Sequence, residues 1–219
     1  MIDFTKARRM MVDCQVRPTD VTDRDVIAAM LDIPRERFAP PALASVAYLD
    51  RDIPVDPKRA LLKPMVLARM IQATEVGSHD RVLDVACGSG YSSAVLARLA
   101  ASVTALEDDA DRARRCGENL AQVAPGSGNV AGVCGPLEAG WAAGAPYDVI
   151  LVNGACETEP QGLLRQLNEG GRLVAIIGTA PVGKATLFRK DHGEIGSRPL
   201  FDAVAPALPA FAQAPAFVF

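Results

Sequence analysis

The sequence predicts an α/β fold, a doubly wound and mostly parallel sheet with a helical N-terminal part. Three observations carry this. Between residues 80 and 190, short β-branched runs alternate with amphipathic segments. A glycine pair, Gly88 and Gly90, follows the first of those runs. Residues 1–75 have another texture, with helical and turn-rich pieces broken by prolines. Strands alternating with helices at this spacing imply a parallel sheet covered on both faces.

In chain order, Thr22 precedes Asp23-Arg24-Asp25, so a hydroxyl cap is expected to open a helix carrying Val26, Ile27, Met30 and Leu31. Pro34, Pro40 and Pro41 then divide the chain. Pro64 suits the first position of a helix reaching about Ala73, with Val66, Met70 and Ala73 on one face. The first strand runs from Arg81 to Cys87 and ends in Gly88-Ser89-Gly90. A helix is expected from Tyr91 to Ala100, and a second strand from Ser102 to Glu107. Residues 109–123 are helical by composition. Val130 to Cys134 and Tyr147 to Asn153 read as the next strands, Pro160 to Leu167 as a helix and Arg172 to Ile177 as a fifth strand. Thr186 to Lys190 and Ala216 to Phe219 are candidates for late strands, whereas Ala205 to Pro215, with three prolines, resists assignment.

The 219 residues suit a single domain spanning 1–219. Within it, residues 1–75 are the helical N-terminal region, 80–190 the nucleotide-binding core and 191–219 a C-terminal tail. The net charge is -3 and no large Lys/Arg cluster occurs, so no nucleic-acid partner is expected. Cysteines stand at 14, 87, 116, 134 and 156, odd in number and without a C-x-x-C pair. Buried reduced thiols are expected, with neither a disulfide framework nor a metal. The polar N-terminus and the lack of a long apolar run predict no signal peptide, no membrane span and a cytoplasmic protein. His79 and His192 read as surface loop residues, and Trp141 as packing near the loop after the third strand.

The informative stretch is Asp84-Val85-Ala86-Cys87-Gly88-Ser89-Gly90-Tyr91. Its glycines permit a tight turn and close approach of a ligand to the backbone. A dinucleotide site would place a third glycine where Ser93 stands. The upstream acid, Asp84, instead suits S-adenosylmethionine, whose amino-acid end is cationic. Glu107 ends the second strand, where a carboxylate can accept from both ribose hydroxyls. Asn153, ending the fourth strand, is a pocket candidate. Cys87 fills space in the turn.

Further segments resemble protein-L-isoaspartate O-methyltransferases. They are Val12 to Pro18, Val21-Thr22-Asp23, Pro34 to Pro40, Ala47 to Val55, Val82 to Leu99, Pro146-Tyr147-Asp148 and Leu163 to Gly178, in the family's order. The resemblance covers roughly residues 10–190. It implies a Rossmann-like methyltransferase domain, S-adenosylmethionine as cofactor, and methyl transfer to an isoaspartyl carboxylate in a damaged protein. The cofactor residues it implies, with the reading above, are Asp84, Ala86, Cys87, Gly88, Ser89, Gly90, Glu107, Asp108, Pro136, Leu137 and Asn153. Leu61, Leu62 and Lys63 are implied on the substrate side. No catalytic residue is assigned.

Two segments depart from the family's pattern. Where the family carries Thr-Ile-Ser-Gln-Pro, this chain reads Ala60-Leu61-Leu62-Lys63-Pro64 and lacks the serine near the substrate carboxylate. Where the family has Gly-Asp-Gly beside the adenine, it reads Gly135-Pro136-Leu137. Losing that hydrogen bond weakens binding by ~1 kcal/mol. Lys63 is a candidate partner for a substrate carboxylate. The apolar edge formed by Ala60, Leu61 and Leu62 leaves two alternatives open: a methyltransferase for a less charged acceptor, or a cofactor-binding protein without turnover.

Overall fold

A computed structural model describes residues 2–123 and 129–213. The N-terminal region contains α1 (Phe4–Met11), which continues into a wide helical turn over Val12–Val16, and α2 (Arg24–Asp32). A hairpin follows, β1 (Ile53–Asp56) and β2 (Arg59–Leu61), forming a two-stranded sheet of its own. Next come α3 (Pro64–Ala73), β3 (Arg81–Val85), α4 (Tyr91–Leu96), β4 (Ser102–Glu107), α5 (Ala110–Val123), β5 (Val130–Cys134), β6 (Tyr147–Cys156) and α6 (Gln161–Leu164). The chain continues through β7 (Leu167–Ile177), β8 (Lys184–Asp191) and β9 (Glu194–Asp202).

Among the described residues, seven strands form the main sheet in the order β5-β4-β3-β6-β7-β8-β9. The pairs from β5 to β7 are parallel, and β8 and β9 add antiparallel. The chain winds outward from β3 in one direction and resumes at β6 on its other side. That reversal opens a crevice at the carboxyl ends of β3 and β6, where such sheets hold ligands. Alternate residues feed opposite faces. Val149, Leu151, Val174 and Ile176 pack against the N-terminal helices, while Ile150, Val152, Leu173 and Ala175 face Leu163, Leu164 and Phe211. Both faces are covered, so the central strands are apolar on both sides.

Several boundaries differ from the sequence expectation. Asp23, not Thr22, caps α2, its carboxylate accepting from the amides of Asp25 and Val26. The Thr22 amide instead donates to Gln72 of α3. α4 stops at Leu96, short of Ala100, and α6 is a single turn, because Leu167 already pairs with Tyr147 as β7 begins. β6 runs on to Cys156. The late strand expected at 186–190 is β8, and β9 beside it carries no apolar alternation because its residues Glu194–Pro199 are exposed on the sheet edge. Within 205–215, Ala207 bridges Ala155 and a tight turn covers Pro209–Phe211. The expected strand at 216–219 lies outside the described residues.

Cys87, Cys116 and Cys156 are buried, but Cys14 and Cys134 are exposed, against the expectation of five buried thiols. Both histidines are exposed; His192 stands with Asp191 and Glu169, also exposed, their ligand atoms within 4.8 Å of one another. No helix among the described residues is long and apolar enough to cross a membrane.

Candidate functional site

The site grows from the turn after β3. Its backbone enters the left-handed region at Gly88 (φ 60°) and Gly90 (φ 95°), where glycine carries no steric penalty. At Gly90 a Cβ would also meet Cys116 Sγ at 2.8 Å. Ala86 takes φ 57° as well, a conformation that costs a residue with a Cβ roughly 1–2 kcal/mol. The turn is held by the Ala86 amide donating to Leu106 and the Gly90 amide donating to Cys87.

Asp84, beneath this turn, is fully buried. Its Oδ2 accepts from the hydroxyls of Ser92 (2.7 Å) and Ser93 (2.5 Å), and its Oδ1 from Asn153 Nδ2 at 2.6 Å. Burial pushes the carboxyl up to about 6, against the pull of Ser93, Ser92 and Asn153. Asp84 therefore organises the turn from below, with α4 and β6 supplying its donors. Ser93, which rules out a third glycine, belongs to this support. Asn153 closes the same cluster and is buried.

Glu107 lies at the end of β4, as the pattern predicts, and is fully buried. The Gly88 amide donates to its Oε1 at 2.6 Å, which ties the glycine turn to the acid. Arg59 of β2 donates from Nε to both carboxylate oxygens (3.0 and 3.1 Å) and from Nη2 to Oε2 (3.0 Å). Arg112 of α5 adds a bond from Nε at 3.1 Å. Asp108 Oδ1 accepts from Arg59 Nη2 (2.8 Å) and Arg112 Nη2 (2.6 Å). Burial opposes ionisation of Asp108, but the two guanidiniums outweigh it and hold the carboxyl below its usual range. Burial likewise opposes the Arg112 charge, and Asp108, Glu107 and Asp56 outweigh it, so its pKa is raised.

Cys87 is buried, its Sγ 3.6 Å from Cys116 Sγ. Ser89 Oγ has no hydrogen-bond partner among the described residues and borders a cavity of about 450 Å³ shared with Gly88, Phe38, Asp56, Arg112 and Asn119. In the segment after β5 the Gly135 amide donates to the Glu107 carbonyl, Pro136 is exposed, and Leu137 is buried in the second core cluster.

The substrate-side residues separate. Leu61 and Leu62 are buried in the first core cluster. The Leu62 carbonyl accepts from Arg35 Nη2 at 2.7 Å, which fixes the segment inward. Lys63 borders a cavity of about 360 Å³ with Asp50, Lys184 and Asp202, and its amide donates to Asp52 at 2.8 Å.

Sequence reasoning missed Arg59, Arg112 and Arg35. Arg112 had a local signal, one helical turn into the segment that follows Glu107; Arg59 and Arg35 had none. As a cofactor cradle, the turn and the strand-end acid fit in kind and position. In this conformation the acceptor sites of Glu107 are taken by Arg59, Arg112 and the Gly88 amide.

The family model for protein-L-isoaspartate(D-aspartate) O-methyltransferase matches residues 7–203. A protein-L-isoaspartate O-methyltransferase of Methanoculleus marisnigri is 40% identical over 195 residues, covering 89% of this chain and 88% of the relative. One from Methylorubrum extorquens is 37% identical over 218 residues, covering 94% and 93%. A Plasmodium falciparum structure, named for a protein-L-isoaspartate O-methyltransferase and solved with S-adenosyl-L-homocysteine, aligns with a TM-score of 0.80 at 20% identity over 96% of this chain and all of that one. At that identity the likeness shows the fold.

Proposed function

Since this chain belongs to the protein-L-isoaspartate(D-aspartate) O-methyltransferase family and is a methyltransferase that uses S-adenosylmethionine, we propose that the turn Asp84–Gly90 and Glu107 form its cofactor cradle. The observation that carries this is the bond from the Gly88 amide to Glu107, which joins the two halves of the cradle at the carboxyl ends of β3 and β4. Ala86, Cys87 and Ser89 belong to the same turn. Asp108, Pro136, Leu137 and Asn153 border it, Asn153 through Asp84. We take the whole chain as one methyltransferase domain, since one core cluster joins the N-terminal helices to the sheet. We read it as a cytoplasmic protein acting without nucleic acid, in keeping with its net charge of -3.

The family acts on isoaspartyl-containing proteins, and the acceptor is then a carboxylate. With a pKa of ~4, it is ionised at neutral pH and needs no general base. When bound, the cofactor supplies a methyl group on a sulfonium. The protein's task is to align and desolvate the acceptor oxygen. Leu62, buried, offers no donor for that oxygen. Lys63, bordering a cavity, offers an ammonium, and we assign it the role of orienting cation. Lys63→Ala then lowers turnover on an isoaspartyl peptide; unchanged turnover removes Lys63 from the site.

The test is calorimetric titration with S-adenosylhomocysteine, followed by a labelled-methyl assay on an isoaspartyl peptide. Binding with methylation supports the proposal. No binding at millimolar concentration overturns the cradle assignment. Binding without methylation would move the search to a less charged acceptor.

A further inference from the structure

We propose that Arg59 is a latch on the cofactor cradle: its guanidinium occupies the acceptor sites of Glu107 that the cofactor's ribose needs, so the cofactor must lift it to bind. This rests on the cradle assignment above.

A carboxylate offers about four lone-pair positions. Those of Glu107 are filled by the amides of Gly88 and Asp108, by Nε and Nη2 of Arg59 and by Nε of Arg112. A ribose diol needs two. It cannot share Glu107 with Arg59, whose side chain is only 1% exposed and sits against the turn itself. A Cβ at Gly88 would stand 3.6 Å from Arg59 Cβ. All three guanidinium nitrogens donate, with Nη2 also on Asp108 and Nη1 on the Lys58 carbonyl.

Displacement is built in as an exchange. Arg59 is carried by the β1–β2 hairpin, which is not hydrogen-bonded into the main sheet. Arg112 stays on Glu107, Asp108 and Asp56, so the acid keeps a counter-charge after Arg59 leaves. Two neutral hydroxyls replacing a charge-assisted bidentate pair make a weaker interaction, and the cofactor's affinity is reduced by the difference.

The experiment titrates wild type, Arg59→Ala and Arg59→Lys with S-adenosylhomocysteine, each checked for folding by circular dichroism. Lysine keeps the charge and with it the neutralisation of Glu107, but not the planar fork. The latch predicts a binding order of wild type, then Lys, then Ala, with Ala at least ~10-fold tighter than wild type. Should the alanine variant fail to fold, the lysine variant alone decides, by binding tighter or not. Equal or weaker binding by the folded variants, with wild type still binding, overturns the latch and leaves the cradle. No binding by any of the three overturns both.

Discussion

Asn153 Nδ2 lies 2.6 Å from Asp84 Oδ1, joining the end of β6 to the end of β3 across the sheet's switch point. Asp84 Oδ2 receives the two serine hydroxyls of α4, so three elements meet on one fully buried carboxylate. Burial raises its pKa to about 6 in the folded chain, against 3.8 as the ordinary value. Between those two values the folded state binds more protons than the unfolded state. Stability attributable to Asp84 therefore falls as pH rises from ~4 to ~6 and stays low above that. Asp84→Asn removes this titration. The wild type should gain on the variant by up to ~3 kcal/mol as pH falls from ~7 to ~4. Urea unfolding of both proteins across that range measures the difference. A difference independent of pH would show that Asp84 does not titrate there.

Ala86 enters the left-handed region at the first position of the glycine turn. Glycine avoids the ~1–2 kcal/mol penalty of that conformation. It loses part of the gain, ~0.4–1 kcal/mol, to the greater freedom of the unfolded chain. Ala86→Gly should therefore stabilise by up to ~1 kcal/mol, which raises Tm by ~2–4 °C in a chain of this size. A lower Tm for the variant would show that contacts of the Ala86 methyl outweigh the strain.

The strand, turn and helix from Arg81 to Leu96 were legible because their chemistry is local: a β-branched run, then residues that need positive φ. Glu107 was legible for the same reason, as an acid closing the next strand. What surrounds these residues was not. Arg59 reaches Glu107 across 48 positions, from a hairpin whose Pro54 and bulge hide any strand pattern. Leu62 reads as a pocket wall because its neighbours are apolar. Its burial depends on Arg35, 27 positions away, taking its carbonyl. The donors to Asp84 were not legible, because the two serines and the asparagine come together around it only once α4 and β6 are in place.

The five thiols should divide by exposure. Cys14 and Cys134 are exposed. Cys87 is held well above its ordinary pKa by the neighbouring Cys116 thiol and by burial. Burial pushes Cys156 up to about 12. The thiolate is the species that reacts with an alkylating agent. Iodoacetamide on the native protein should therefore label Cys14 and Cys134 first, and Cys87, Cys116 and Cys156 only after unfolding. Peptide mass spectrometry over a time course reads this directly. Labelling of Cys87 as fast as Cys14 would mean that the glycine turn opens in solution.

Arg35 couples the N-terminal region to the turn helix and is fully buried. Its Nε donates to Ala47 and its Nη2 to Leu62, both at 2.7 Å, and its guanidinium lies 4.8 Å from the centre of the Tyr91 ring. Burial lowers its pKa, partly offset by Tyr91 and Asp52. Arg35→Met fills much of the volume but leaves two carbonyls without this donor, each costing ~1–3 kcal/mol. The expected loss is ~2–6 kcal/mol, read as a lower urea midpoint at unchanged slope. Arg35→Lys should retain part of it, since one ammonium can reach one carbonyl but cannot span both as a planar fork does. If Arg35→Met unfolds within ~0.5 kcal/mol of wild type, the level of an ordinary surface substitution, the two carbonyls have other partners and Arg35 does not hold the substrate-side segment in place.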